Sequence, residues 1–145
     1  MKLRRKAAMA LIGAMLPLLA GQAGAAIVTR EENVANPRGW SAISGMDPRS
    51  VREMARSLPV SDQATDDQPW CDQDRKIETA LKQEFGESKI ATNAEDTALW
   101  GSELMGTWTM VLERPDATSC VIASGIGFSS ERSPDAYFIN VGLAG

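Results

Sequence analysis

TWTMVLERPDATSCVIAS, residues 107–124, reads as two strands and the turn that joins them. From Thr107 to Glu113 apolar and polar positions alternate. Trp108, Met110 and Leu112 point one way, and Thr107, Thr109, Val111 and Glu113 the other, which is the period of a pleated strand. Arg114-Pro115-Asp116-Ala117 supplies turn chemistry, because proline presets its own backbone angle and Asp bonds locally to the chain. Ser119 to Ser124 then returns, with Cys120 and Ile122 on one face. A tight turn between adjacent strands makes the pair antiparallel.

Working outward, the alternation extends toward the N-terminus. Ser88–Thr92 and Thr97–Ser102 read as two further strands, with a polar turn at 93–96 and a second turn at 103–106. Before them Trp70, Ile77, Leu81 and Phe85 fall on one helical stripe, while Arg75, Glu78, Lys82 and Gln83 face water. The spacing predicts a helix from Pro69 or Trp70 to Phe85, with Asp72 and Asp74 in its first turn and Gly86 as its left-handed stop. The expected fold is therefore α+β: one or two helices packed on a four- or five-stranded antiparallel meander, with that stripe covering one face. Leu99 and Trp100 point to opposite faces, so both sides of the sheet want cover, and the first helix or a partner must supply the second.

The first helix is signposted at about residues 48–58. Asp47 can cap it, Pro48 suits its first position, and Val51, Met54, Ala55 and Leu58 recur at helical spacing before Pro59 bars continuation. Its other face carries Arg49, Arg52, Glu53 and Arg56. The rest of 26–69 reads as a loose lead-in ending in an acidic linker, ahead of a compact domain at 70–145. Tyr137–Val141 reads as a fifth strand that joins either its own sheet edge, the favoured reading, or a partner's sheet.

Residues 1–25 read as a secretory signal. Lys2, Arg4, Arg5 and Lys6 precede the run Ala7–Ala20, and small residues follow up to Ala25. That run spans about 21 Å as a helix, short of a ~30 Å hydrocarbon core. Cleavage after Ala25 leaves 11 basic against 19 acidic side chains, a net charge of −8. So acidic a body argues against nucleic acid and against an anionic membrane surface, both of which need a basic footprint. The expected location is the periplasm, with no stable membrane insertion once the signal is removed.

Cys71 and Cys120 are the chain's two cysteines. In an oxidising compartment two cysteines allow a single intramolecular pairing, and no Cys-x-x-Cys spacing or third soft ligand points to a metal or redox pair. Closing that loop is worth about 4 kcal/mol in the chain-entropy model.

There is no histidine, which removes the usual general base and every Ser–His or Cys–His arrangement. Glu103 and Glu113, flanking the clearest strand, are the carboxylate pair a small hydrolase would use. Asp62, Asp66, Asp67, Asp72 and Asp74 lack the glycine and closing glutamate of a calcium loop. No cofactor motif is present. Trp70 and Trp108 lie on apolar stripes and read as core. Trp40 follows Asn36-Pro37-Arg38-Gly39 in what reads as a loop, and is either tucked against the body or free to bind; Trp100 falls between these cases.

Cys71 ahead of an amphipathic helix, Phe85-Gly86-Glu87 at its end, Leu99-Trp100, Gly106-Thr107-Trp108-Thr109 and Cys120 form an ordered set. Over residues 70–124 it resembles small exported bacterial proteins that share a helix, a meander and one cysteine pair. The resemblance implies the fold and the disulfide, and brings no activity or site residue with it.

The expected function is a non-enzymatic exported binding or accessory domain that contacts an envelope or periplasmic protein. Its candidate surface comprises Trp40, Trp100, Met54, Leu58, Tyr137 and Phe138. The alternatives are a glycan or cell-wall module using Trp40 and Trp100, and a hydrolase using Glu103 and Glu113.

Overall fold

A computed structural model describes residues 37–61 and 64–144. The expected signal at 1–25 lies outside the described residues. Six strands form one antiparallel sheet: β1 Arg38–Ser41, β2 Cys71–Gln73, β3 Ser88–Thr92, β4 Thr97–Ser102, β5 Thr107–Glu113 and β6 Thr118–Ile126. Three helices flank it: α1 Pro48–Ala55, α2 Asp74–Glu84 and α3 Pro134–Asn140. The α+β class and the meander β3-β4-β5-β6 follow the alternation in the sequence. The order across the sheet is β1-β6-β5-β4-β3, and β2 also pairs with β6. β1 pairs with residues 123–126 of β6 and β2 with 118–120, so the two short strands lie end to end along the edge of β6 that β5 leaves open.

Each face of the sheet has its own core. On one, Leu99, Trp108, Met110, Leu112 and Ile122 pack with Ile43, Val51 and Ala55 from the lead-in and α1, and with Tyr137, Phe138, Val141 and Leu143 from the C-terminal segment. On the other, Ile77 and Leu81 of α2 pack on Ala98, Trp100 and Val111. The sheet is apolar on both sides because it has helices on both sides. Residues 38–55 thus belong to the same core as 70–145 and are not a loose lead-in. Asp47 accepts a hydrogen bond from the Arg49 N–H at 2.8 Å and caps α1. Arg52, expected in water, is buried and pairs with Glu95. At the far end of α1, Arg114 donates to the carbonyls of Ala55 and Leu58, where the helix dipole favours a cation.

Three expectations change. Cys71, which the expected helix from Pro69 or Trp70 would include, lies instead in β2, and α2 begins only at Asp74, so the disulfide to Cys120 is a cross-strand pair of β2 and β6 that fastens strand to strand. Both sulfurs are buried on the α1 side of the sheet, opposite the face that α2 covers. Tyr137–Val141 is not a strand. Pro134 stands in the first turn of α3 with Asp135, and Tyr137, Phe138 and Val141 then share one helical face that is buried. Trp40 lies in β1 rather than in a loop.

The reason for β1 is long-range. Gly39, Gly125, Trp108 and Gly101 stand in register across β1, β6, β5 and β4, so they share one face of the sheet. A Cβ on Gly39 or Gly125 would overlap the Trp108 ring, and one on Gly101 would overlap Phe128. The glycines clear a floor for two aromatic rings, and Tyr137 covers them, 5.7 Å from Trp108 and 5.4 Å from Phe128 between ring centroids. The buried Trp108 indole donates to the Ile126 carbonyl at 3.0 Å.

Candidate functional site

The face beneath α2 is only partly covered. α2 has 11 residues, about 16 Å of helix, and it sits over β4 and β5. Register places Trp40, Ser124 and Thr109 in one row of that face and Ile126 and Thr107 in the next. The helix leaves these rows as the floor of a groove of about 430 Å³. Leu81, Phe85 and Glu87, at the C-terminal end of α2, line its walls together with Ala64, Gln68, Pro69 and Trp70. Volumes of this order suit a small ligand or a few side chains of a partner. Trp40 is 54 % exposed, and Phe85 and Ile126 are also open to solvent, so the rim is aromatic and apolar.

Glu87 is the chemical oddity of this groove. Gly86 adopts φ +62°, which turns the chain back so that the Glu87 N–H reaches the Leu81 carbonyl at 2.9 Å. The same turn sends the Glu87 side chain inward, and the residue is only 2 % exposed. Its Oε1 accepts the Thr107 hydroxyl at 2.9 Å, whereas Oε2 is buried with no partner. Burial pushes the Glu87 carboxyl above its ordinary value, and the Thr107 and Thr109 hydroxyls pull it part of the way back. No charged side chain among the described residues pairs with it. The Trp70 indole N–H is likewise buried without an acceptor. One unused carboxyl oxygen and one unused donor therefore belong to residues of the same apolar groove.

The residues expected at a binding surface fare unequally. Trp40 is exposed and lines the groove. Trp100 is 3 % exposed beneath α2, because β4 is buried on both faces, so it offers no platform. Tyr137 and Phe138 are interior, at 0 % and 3 % exposure, since they form the buried face of α3. Met54 and Leu58 are half-buried against the α1-side core. Glu103 and Glu113 lie toward opposite ends of β5, about 20 Å apart at 3.3 Å per residue, and share no cleft. Glu103 accepts from the Ser130 N–H and hydroxyl, and Glu113 pairs with Lys89.

Three of the acids crowded between positions 62 and 74 have partners within the fold. Asp67 accepts from the Thr65 hydroxyl, Asp72 pairs with Lys76 at 3.4 Å and Asp74 accepts from Ser119. Asp62 lies outside the described residues. Among the described residues no group of three or more Cys, Asp or Glu is placed to hold a metal ion.

Sequence reasoning passed over Glu87, Thr107 and Thr109. The usable signal was the pair of threonines alternating with core residues on a sheet face that also carries Val111. Polar groups on such a face need a partner, and Glu87 is that partner for Thr107. No family model matches the chain, and no curated protein or solved structure does either.

Proposed function

We propose that this is a non-enzymatic binding or accessory domain, exported to the bacterial periplasm, which receives a segment of an envelope protein in the groove between α2 and β1. The observation that carries this reading is the groove itself: an aromatic hollow left open beside a well-packed core, with two unsatisfied polar atoms among its lining residues. Folding alone gains nothing from such a feature, whereas a partner that fills it recovers both the apolar burial and the missing hydrogen bonds. The Cys71–Cys120 disulfide is compatible with export, and among the described residues no helix is long and apolar enough to cross a membrane. The glycan alternative retains Trp40 but loses Trp100 to the core. The hydrolase alternative loses its carboxylate pair to distance.

A photo-crosslinking side chain placed at position 40 tests the reading in cells, with position 139 as control, because Ile139 is exposed on α3 on the opposite side of the sheet. The expected result is one discrete protein adduct from position 40 and none from 139. No adduct at 40, or the same adducts from both positions, refutes it.

A further inference from the structure

Glu87 has one oxygen satisfied by Thr107 and the other buried without a partner, in a groove lined mainly by apolar and aromatic side chains, with Gln68, Thr107, Thr109 and Ser124 as its other polar residues. An isolated carboxyl in such surroundings is unfavourable unless something with donors meets it. Three features identify what that something carries. Among the described residues no lysine or arginine pairs with Glu87, which leaves its carboxyl open to a cation brought by a partner. The domain beyond residue 25 carries a net charge of −8, which draws cations and repels acids. Trp40, Trp70 and Phe85 are among the lining residues, and aromatic, apolar surroundings are a setting in which a cation on a methylene stem gains from both ends.

The occupant is also larger than a free amine. The exposed apolar surface continues past the groove mouth. Ile126 pairs with Thr107, next to the turn that carries Leu104 and Met105, and Leu104 is 93 % exposed. The Gly127 and Phe128 N–H groups bond to the Gly106 carbonyl and hold that turn beside the end of β6. Apolar side chains running from Trp40 past Ile126 to this turn fit a polypeptide segment lying along the rim.

We propose that the partner segment inserts a lysine or arginine side chain into the groove, its stem against Trp40 and Phe85 and its cationic head on the free oxygen of Glu87, with apolar neighbours resting on Ile126 and the Leu104–Met105 turn. This rests on the groove being the binding site, as argued above. The Trp70 indole N–H, the other unused group among the lining residues, suits a backbone carbonyl of the same segment.

The test uses the oxidised full domain and a random heptapeptide display library. Selection is expected to enrich peptides with one basic position flanked by apolar residues, and to lose that preference on Glu87→Gln. A selected peptide, resynthesised with its basic residue replaced by norleucine, should bind at least tenfold more weakly by calorimetry, while butylamine alone should bind far more weakly than the peptide. If Glu87→Gln does not fold, the norleucine comparison decides on the unaltered protein. Enriched peptides that lack a basic residue, or a norleucine peptide that binds as tightly, overturn the inference; their competition with the adduct at position 40 would leave the groove reading standing. Butylamine binding as tightly as the peptide overturns the polypeptide source, as does the absence of any enriched peptide.

Discussion

Reducing the Cys71–Cys120 bond is the perturbation whose size follows most directly from the structure. The two cysteines are 49 residues apart in sequence, so the bond removes the freedom of a loop of about that length from the unfolded chain. The chain-entropy relation gives about 14 cal/mol/K for such a loop, or roughly 4 kcal/mol at 25 °C. At about 1.5 kcal/mol/M for a domain of this size, the urea midpoint should fall by about 2.5 M. The melting temperature should fall by roughly 15–20 °C. Both sulfurs are fully buried, so reduction has to proceed through the unfolded chain: denature in urea with reductant, refold under reductant, and compare midpoints by far-ultraviolet circular dichroism. Tryptophan emission adds a second readout. β2 is three residues long and leads straight back to Pro69 and Trp70 in the groove wall. With the bond cut, that wall is held by the short β2 ladder, the bond from the Val121 N–H to the Trp70 carbonyl and the packing of Trp70, and emission should shift red at lower urea than the dichroism changes. Coincident transitions within about 0.5 M of the oxidised midpoint would refute both the loop-closure estimate and the role of the bond in holding the groove wall.

Glu87→Gln tests the cost of the buried carboxyl. Its pKa is raised on folding, so below its ordinary value of 4.5 the group is protonated in both states and costs nothing. As pH climbs from there through the raised value, the unfolded chain loses its proton first and stability drains away. The advantage of the Gln variant in melting temperature should therefore grow between pH 4 and pH 7; a constant difference refutes the assignment. Gly125→Ala drives a methyl group into the Arg38 carbonyl and the Trp108 ring, and should cost ~2–3 kcal/mol by urea unfolding. Gly106→Ala meets open space and carries only the left-handed penalty of ~1 kcal/mol, so the reverse order would count against the packed floor. Tyr137→Phe removes a hydroxyl that accepts from the Ser129 N–H at 2.8 Å and donates to the Ser129 carbonyl at 3.1 Å. Leaving that buried N–H unpaired should cost about 1–2 kcal/mol, and a loss under 0.5 kcal/mol, about the level of an exposed substitution, would show the bond to be unimportant.

What the sequence made legible was whatever is decided locally. The alternation at Thr107–Glu113 places Trp108, Met110 and Leu112 on one face, and Ile77 and Leu81 mark the buried side of α2 because helical spacing allows nothing else. Gly86 announces the end of that helix through its backbone freedom. What stayed hidden depends on partners far along the chain. β1 is a four-residue strand containing a glycine, and only its register with 123–126, under the Trp108 ring, makes it a strand. Tyr137–Val141 is an apolar run too short for its period to separate helix from strand, and Pro134-Asp135 was the better guide. Cys71 looked like the base of a helix because Trp70 completes the helical stripe; in the fold Trp70 reaches the same core from outside the helix.

The groove was the least legible part, and the reason is physical. A sheet face seven residues deep and several strands wide needs more cover than an 11-residue helix gives. The chain could have closed the gap with a longer α2 or a large apolar side chain at position 87. Instead it turns at Gly86 and buries a glutamate under two threonines, against the preference of every local rule for a solvated acid after a helix stop. Where propensity, patterning and polar satisfaction agree, they specify the fold; here they disagree, and the disagreement costs stability that the rest of the domain must offset. A chain stapled by a buried disulfide can carry that cost. The same substitution that should stabilise the domain at neutral pH, Glu87→Gln, is the one expected to weaken its hold on a basic partner; both effects together would mark a binding site, and stabilisation with unchanged binding would mark a packing flaw.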